Sequence, residues 1–214
     1  MSGLSLWLSP PAASPLGDLI TSLSDRYETV PFKAHATLVS DALVPGLPVA
    51  ELVKRIGEAI ARWKGDRAIQ ARALELRFSD VRQGQLSALL VLRAACSTIR
   101  LFHVAPREDV QCVLAALVPD AHLVALHETL LSSFSVPIPS PPTYFPHLSL
   151  VYGDLSPQTK EGIIQGMKER KQVQQKANGE CRVAGEKGFK AEEVLLVRTS
   201  GSTDQWEILA RVPL

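Results

Sequence analysis

Two short motifs of the same residue types contain the side chains best suited to acid–base chemistry. The tripeptides His35-Ala36-Thr37 and His147-Leu148-Ser149 each place a histidine two residues before a hydroxyl. Residues i and i+2 of a strand project from the same face. If both segments are strands, each motif presents an imidazole beside a hydroxyl. Two such pairs facing each other would frame a small anion such as a phosphodiester.

These four side chains are suited to hydrolysing a phosphodiester without a metal. One neutral imidazole takes a proton from water and one imidazolium donates a proton to the leaving oxygen, each role being worth about 10²–10⁴-fold. Hydroxyls hold the non-bridging oxygens where negative charge builds up. We therefore predict His35 and His147 as catalytic residues and Thr37 and Ser149 as substrate-binding residues.

The other histidines are predicted to be structural. His127-Glu128-Thr129 also matches the tripeptide, but it lies in a helical pattern, where residues two apart point in different directions. His122 and His127 are five apart and form no i, i+4 metal pair, and His103 is expected in packing or on a loop. We expect neither a metal nor a cofactor.

Hydropathy patterns indicate the elements that must position the motifs. Alternation predicts strands at Leu4–Leu8, 32–40, 74–78, 86–93, 145–152 and 191–198, and a last strand with Trp206, Ile208, Ala210 and Val212 on one face. Helical spacing predicts helices after Pro48, over about 107–134 with an interruption at Pro119-Asp120, and over about 157–176, closed by Asn178-Gly179. Asp120 is predicted to be the N-cap of the helical segment that follows it, and Ser156 that of the last helix, with Pro157 at its first position. Gly84 is predicted to mark a turn. Interspersed strands and helices indicate an α+β fold with mainly antiparallel sheet.

Composition limits the function classes. The chain has 214 residues and a net charge of +1, so it lacks the basic excess of proteins that clamp long nucleic acid. It contains no apolar run of the roughly twenty residues that a membrane span needs, and its start does not fit a signal peptide. Three cysteines without CxxC spacing argue against a disulfide framework. We expect a reduced, cytoplasmic, monomeric protein with one domain over 1–214.

The segments around the motifs resemble the 2H phosphoesterase superfamily, and more narrowly its plant- and fungal-type cyclic nucleotide phosphodiesterases. The segments that carry the resemblance are Ser5-Leu6-Trp7-Leu8-x-Pro10, Ala34-His35-Ala36-Thr37-Leu38 and Pro146-His147-Leu148-Ser149-Leu150-Val151-Tyr152-Gly153-Asp154. Their order and spacing extend over nearly the whole chain. The region 96–142 contributes nothing to the resemblance.

The resemblance implies a bilobal fold in which two mainly antiparallel sheets surround a central cleft, with helices outside. It implies metal-independent opening of nucleoside 2′,3′-cyclic phosphates to 2′-phosphates, and of ADP-ribose 1″,2″-cyclic phosphate to the 1″-phosphate, in tRNA-splicing by-product or RNA-end metabolism. Trp7 and Tyr152 match aromatic positions that line the cleft. In a regular strand Tyr152 faces away from His147, so it reaches the site only if the strand ends or bulges near Val151.

Two alternatives remain open at the level of sequence. One is a 2′–5′ RNA ligase-like or oligonucleotide phosphodiesterase, which requires an electropositive groove that the +1 charge does not favour. The other is a non-catalytic module that binds a nucleotide with the same four residues. Sequence does not assign the base and the acid, and analogy with the family favours His147 as base and His35 as acid.

Overall fold

The computed structural model describes residues 3–66, 73–85, 111–138 and 144–214. The fold is α+β, as predicted. In chain order its elements are β1 (Leu4–Leu8), α1 (Pro15–Tyr27), β2 (Ala36–Val39), α2 (Val49–Asp66), β3 (Leu74–Gln85), β4 (Gln111–Leu117), α3 (Ala121–Ser133), β5 (His147–Tyr152), α4 (Pro157–Glu169), β6 (Val173–Gln175), β7 (Cys181–Val183), β8 (Gly188–Ala191), β9 (Glu193–Arg198) and β10 (Glu207–Pro213). The predicted strand at 86–93, His103 and Cys96 lie outside the described residues.

A large antiparallel sheet places the two motif strands at its centre. Its strand order is β10-β9-β1-β2-β5-β4-β3-β8, and β6 pairs separately with β7. The family resemblance predicted two sheets around the cleft, whereas the structure joins the two groups of four strands at β2 and β5. The join is narrow, since its register consists of Ala36 opposite Leu148. The join pairs β2 with β5, the neighbouring strands of the two groups. An unpaired edge strand would leave its backbone N–H and C=O groups without hydrogen-bond partners.

The hydrophobic core determines which way the motif side chains point. Ala36, Leu38, Leu148 and Leu150 are fully or almost fully buried and belong to the main core. That core also contains buried residues of all four described helices, among them Leu16, Ile20, Leu52, Ile56, Leu126, Leu130, Ile163 and Met167. Because side chains alternate along a strand, the residues between these core positions of β2 and β5 project from the opposite face of the sheet.

Helix caps fix the starts of α3 and α4 where the sequence predicts them. The Asp120 carboxylate accepts a hydrogen bond from the His122 backbone N–H at 2.8 Å. The Ser156 hydroxyl accepts one from the Thr159 N–H at 3.1 Å, with Pro157 at the first helical position. Across the described ranges, no helix is both long enough and apolar enough to cross a bilayer.

Helix α1 was not predicted, although the sequence contains its signals. Ser14 is the N-cap and Pro15 occupies the first turn. Leu16, Ile20 and Leu23 are fully buried at helical spacing.

The prediction of a helix over the first part of 107–134 is wrong, because residues 111–117 form β4. This strand lies between β3 and β5 and is buried on both faces. A strand buried on both faces is continuously apolar, so periodicity does not distinguish it from a helix. Gly84, predicted to mark a turn, lies inside β3 opposite Cys112. A Cβ on Gly84 would come within 2.3 Å of the Leu114 side chain, which explains the glycine.

The charged helix predicted to reach about residue 176 ends at Glu169 instead. Lys171 adopts a positive φ of 58°, and the chain then forms the β6–β7 hairpin. Asn178-Gly179 forms part of the turn of this hairpin rather than the end of a helix, and Gly179 has a φ of 83°. The charged and polar residues after Glu169 resemble a continued helix in sequence. In the structure the pairing of β6 with β7 determines their conformation instead.

Two strand predictions also need correction. The strand predicted over 32–40 is confined to Ala36–Val39. In β10, the register against β9 shifts between Ile208 and Ala210. As a result Ile208 packs against Trp7, while Ala210 and Val212 pack in the main core, so the four predicted positions do not share one face.

Candidate active site

The antiparallel register of β2 and β5 brings the two motifs face to face. Ala36 lies opposite Leu148, and both side chains point into the core. Continuing this register by one residue in each direction aligns each motif histidine with the hydroxyl residue of the other motif. We infer from it the opposite pairs His35 with Ser149 and Thr37 with His147, where His35 lies one residue before the start of β2. Directly opposite side chains share a face, with Cβ atoms about 4.5–5.5 Å apart. We therefore expect the four side chains to lie close together on the face away from the core, in what is called the motif cluster below.

Both histidines are oriented by the same local contact. His35 Nδ1 lies 2.6 Å from the Lys33 carbonyl oxygen, and His147 Nδ1 lies 3.0 Å from the Phe145 carbonyl oxygen. A carbonyl only accepts, so Nδ1 carries the proton and donates in each case. This leaves Nε2 of each ring to take or give a proton. The cluster thus offers two equivalent imidazole nitrogens and two hydroxyls.

Trp7 lies behind His35. The two rings are parallel, with centroids 3.6 Å apart and planes 11° apart. The Trp7 indole N–H donates to the Ser5 hydroxyl, which donates to the Val39 carbonyl, both at 3.0 Å. Only 2% of Trp7 is exposed, so little of its surface is open to a ligand. Its contact with substrate stays a prediction, and the structure places it to orient His35.

A bulge in β5 turns Tyr152 toward the site. Val113 pairs with Val151 and the next residue, Leu114, pairs with Ser149, so Leu150 is an extra residue on β5. The extra residue restores Tyr152 to the face of Ser149. The Tyr152 ring lies 4.2 Å from that of Phe32, and burial raises the pKa of its phenol to about 12, which hydrogen bonding to Ser149 opposes.

Burial keeps both histidines neutral in the ligand-free protein. His35 is 4% exposed, and burial lowers its pKa from 6.5 to about 4, partly offset by its bond to the Lys33 carbonyl and reinforced by repulsion from His147. Burial also lowers the pKa of His147, with repulsion from Arg82 as a smaller cause. The effect of His147 on the pKa of His35 agrees with the register, which predicts that the two rings lie near each other.

His127 and Tyr144 support β2 from outside the cluster. His127 Nδ1 donates to the Leu38 carbonyl at 2.7 Å, and the Tyr144 hydroxyl donates to the Thr37 carbonyl at 3.2 Å. Their rings stack with centroids 4.0 Å apart. His127 is therefore a buried structural residue, as predicted, and it holds a motif strand in place.

We expect His127→Leu to lower the free energy of unfolding by about 1–3 kcal/mol, because it removes a buried donor to a carbonyl of β2. The measurement is urea denaturation at neutral pH. His122→Leu, at an exposed position of the same helix, is the control and should change stability by less than about 0.5 kcal/mol. Equal stability of the wild type and His127→Leu would contradict the proposed support.

Sequence reasoning missed two residues that contact the site. Trp206 packs edge-on against Trp7 at 5.4 Å and against His35 at 6.1 Å. Arg82 lies over the ring of Phe145, next to His147. Neither residue belongs to a His-x-Ser/Thr motif, so their position beside the motif histidines becomes visible only in the folded structure. Within the described residues, no three His, Cys, Asp or Glu side chains are grouped as metal ligands.

Comparison with known families yields one match. Residues 140–214 match the family described as cyclic phosphodiesterase-like protein. The matched span contains His147, Ser149 and Tyr152 but not His35 or Thr37. No curated protein matches the chain. The similarity of this C-terminal part supports a phosphodiesterase hydrolase in general terms.

Proposed function

We propose that this protein hydrolyses small cyclic phosphates by acid–base catalysis with His35 and His147, without a metal. The observation that carries the proposal is the pairing of Ala36 with Leu148, since it aligns two His-x-Ser/Thr motifs in opposite directions around one point. Such an arrangement surrounds a phosphate with one imidazole and one hydroxyl on each side. The proposed substrates are nucleoside 2′,3′-cyclic phosphates and ADP-ribose 1″,2″-cyclic phosphate.

In the proposed reaction, water attacks phosphorus in line with the departing ring oxygen. The base accepts a proton from the water as the new P–O bond forms. The acid protonates the 3′ oxygen as its bond to phosphorus breaks, which yields the 2′-phosphate, and solvent restores both histidines. Thr37 and Ser149 hold the non-bridging oxygens, whose charge rises in the transition state.

Burial supports His35 as the base and His147 as the acid, the reverse of the roles that family analogy favours. A base must be neutral at the working pH, and the pKa of His35 is lowered to about 4. A bound phosphate anion raises the pKa of a neighbouring imidazole. His147 is more exposed than His35, so burial opposes its protonation less. The pair then carries one proton in its active form, and its pH–rate profile is bell-shaped.

The first test is incubation of chelator-treated protein with adenosine 2′,3′-cyclic phosphate, resolving the 2′- from the 3′-monophosphate. We expect the 2′-monophosphate as sole product, as the resemblance to the cyclic nucleotide phosphodiesterases implies. Release of the 3′ isomer would contradict the proposed regiochemistry. Binding without turnover would favour the nucleotide-binding module, and activity restricted to oligonucleotides would favour the ligase-like alternative.

A further inference from the structure

Arg82 of β3 lies on the same face of the sheet as the motif side chains. It is directly opposite Leu114 of β4, and Leu114 is opposite Ser149 of β5. Cross-strand neighbours point to the same side, so Arg82, Leu114 and Ser149 form one row across the sheet. Two strand spacings, about 10 Å, separate the backbone of Arg82 from that of Ser149.

An aromatic ring holds the Arg82 guanidinium close to His147. The guanidinium carbon is 4.6 Å from the centroid of Phe145, a geometry typical of a cation–π contact. The Phe145 ring is nearly parallel to that of His147, with centroids 5.5 Å apart. Phe145 is 41% exposed. The guanidinium is therefore one ring away from a motif histidine and is kept there by an exposed aromatic side chain.

Among the described residues, none accepts a hydrogen bond from the Arg82 guanidinium. In the part of the chain that the structure describes, no carboxylate lies within ion-pair distance of Arg82. Asp80 is on the same face of β3, but it lies opposite Ala116 in the neighbouring row. A planar guanidinium with free N–H groups matches a phosphate by two parallel hydrogen bonds.

We propose that Arg82, held over Phe145, binds a second anionic group of the substrate and so selects cyclic phosphates that carry an additional phosphate or diphosphate. The inference rests on the proposed function, because it places the scissile phosphate between the two motifs. The second anion lies toward β3, one ring beyond His147. ADP-ribose 1″,2″-cyclic phosphate, with its diphosphate, has such a group.

The test compares the binding of adenosine 2′-monophosphate and adenosine 2′,5′-bisphosphate at one fixed ionic strength. The wild type is expected to bind the bisphosphate at least about 10-fold more tightly, because a hydrogen bond between the Arg82 guanidinium and the second phosphate contributes at least that much to affinity. Arg82→Gln should lose that preference. Phe145→Leu should weaken the preference, because it removes the ring that positions the guanidinium.

Arg77→Gln is the matched control, since Arg77 is an exposed arginine of the same strand but lies beside Gly188 of β8. It makes the same change in net charge and should keep the wild-type preference. Equal affinity of the wild type for both ligands, or a preference retained in Arg82→Gln, would overturn the inference. Turnover of adenosine 2′,3′-cyclic phosphate is measured separately and tests the proposed function. A preference that depends on Arg82 supports the second anion site even if turnover is absent.

Discussion

Replacing either motif histidine with asparagine is expected to slow hydrolysis of adenosine 2′,3′-cyclic phosphate at least about 100-fold. The asparagine amide keeps an N–H near the position of Nδ1, which preserves the bond to the Lys33 or Phe145 carbonyl. It has no group at the position of Nε2, where the proton is transferred. The measurement is kcat under saturating substrate, with folding checked by circular dichroism.

His122→Asn is the control, because His122 is an exposed histidine outside both motifs, and it should keep the wild-type kcat. Residues that act as a unit are not additive, so the double variant should be about as slow as the slower single variant. Near-normal turnover by His35→Asn or His147→Asn would remove that histidine from the mechanism.

A substrate with sulfur in place of the leaving 3′ oxygen separates the two roles. A thiolate leaves without protonation, so the variant that lacks only the acid recovers most of its rate on this substrate. We expect this recovery for His147→Asn and not for His35→Asn. The opposite result would assign the base to His147, as the family resemblance favours.

Acidification is expected to destabilise the protein by about 3 kcal/mol through His35 alone. The pKa of His35 is about 4 in the folded state and about 6.5 in the unfolded chain. Above pH 6.5 neither state binds the proton, so stability is at its full value. As the pH falls from 6.5 to 4, only the unfolded state takes up the proton, and stability decreases. Below pH 4 both states are protonated and the loss is complete.

Urea denaturation of the wild type and His35→Asn at pH 7.5, 5.5 and 4.5 checks this prediction. The wild type should lose more stability over this range than the variant, by about 2.5 kcal/mol, since protonation of the folded state is still incomplete at pH 4.5. Contributions from the lowered pKa values of His127 and His147 act in the same direction but are common to both proteins. His122→Asn should follow the wild type. An identical pH dependence of wild type and His35→Asn would show that His35 is not buried in its neutral form.

Local sequence was sufficient to predict the helices and strands whose apolar residues recur at the spacing of a helix or a strand. The helix after Pro48, the caps at Asp120 and Ser156 and the strand that contains His147 and Ser149 are properties of short segments. In the other motif, β2 begins at Ala36, one residue after His35. The strand period also indicated that each histidine shares a face with its hydroxyl. It indicated as well that Tyr152 needs a bulge near Val151 to join them, and the structure contains one at Leu150.

The amino-acid sequence by itself therefore determined the candidate chemistry, because two His-x-Ser/Thr motifs, each with an imidazole and a hydroxyl, are visible without a fold. Only the tertiary structure decided how they meet. The pairing of Ala36 with Leu148 joins segments more than a hundred residues apart, and no local pattern specifies such a register. The tertiary structure was also needed to recognise β4 as a strand, because a strand buried on both faces shows no alternation of apolar and polar residues. It was needed as well for the stacking of Trp7 on His35 and of Arg82 on Phe145. The pKa values of the histidines also depend on both levels. The residue type sets the ordinary pKa, and burial in the folded protein lowers it.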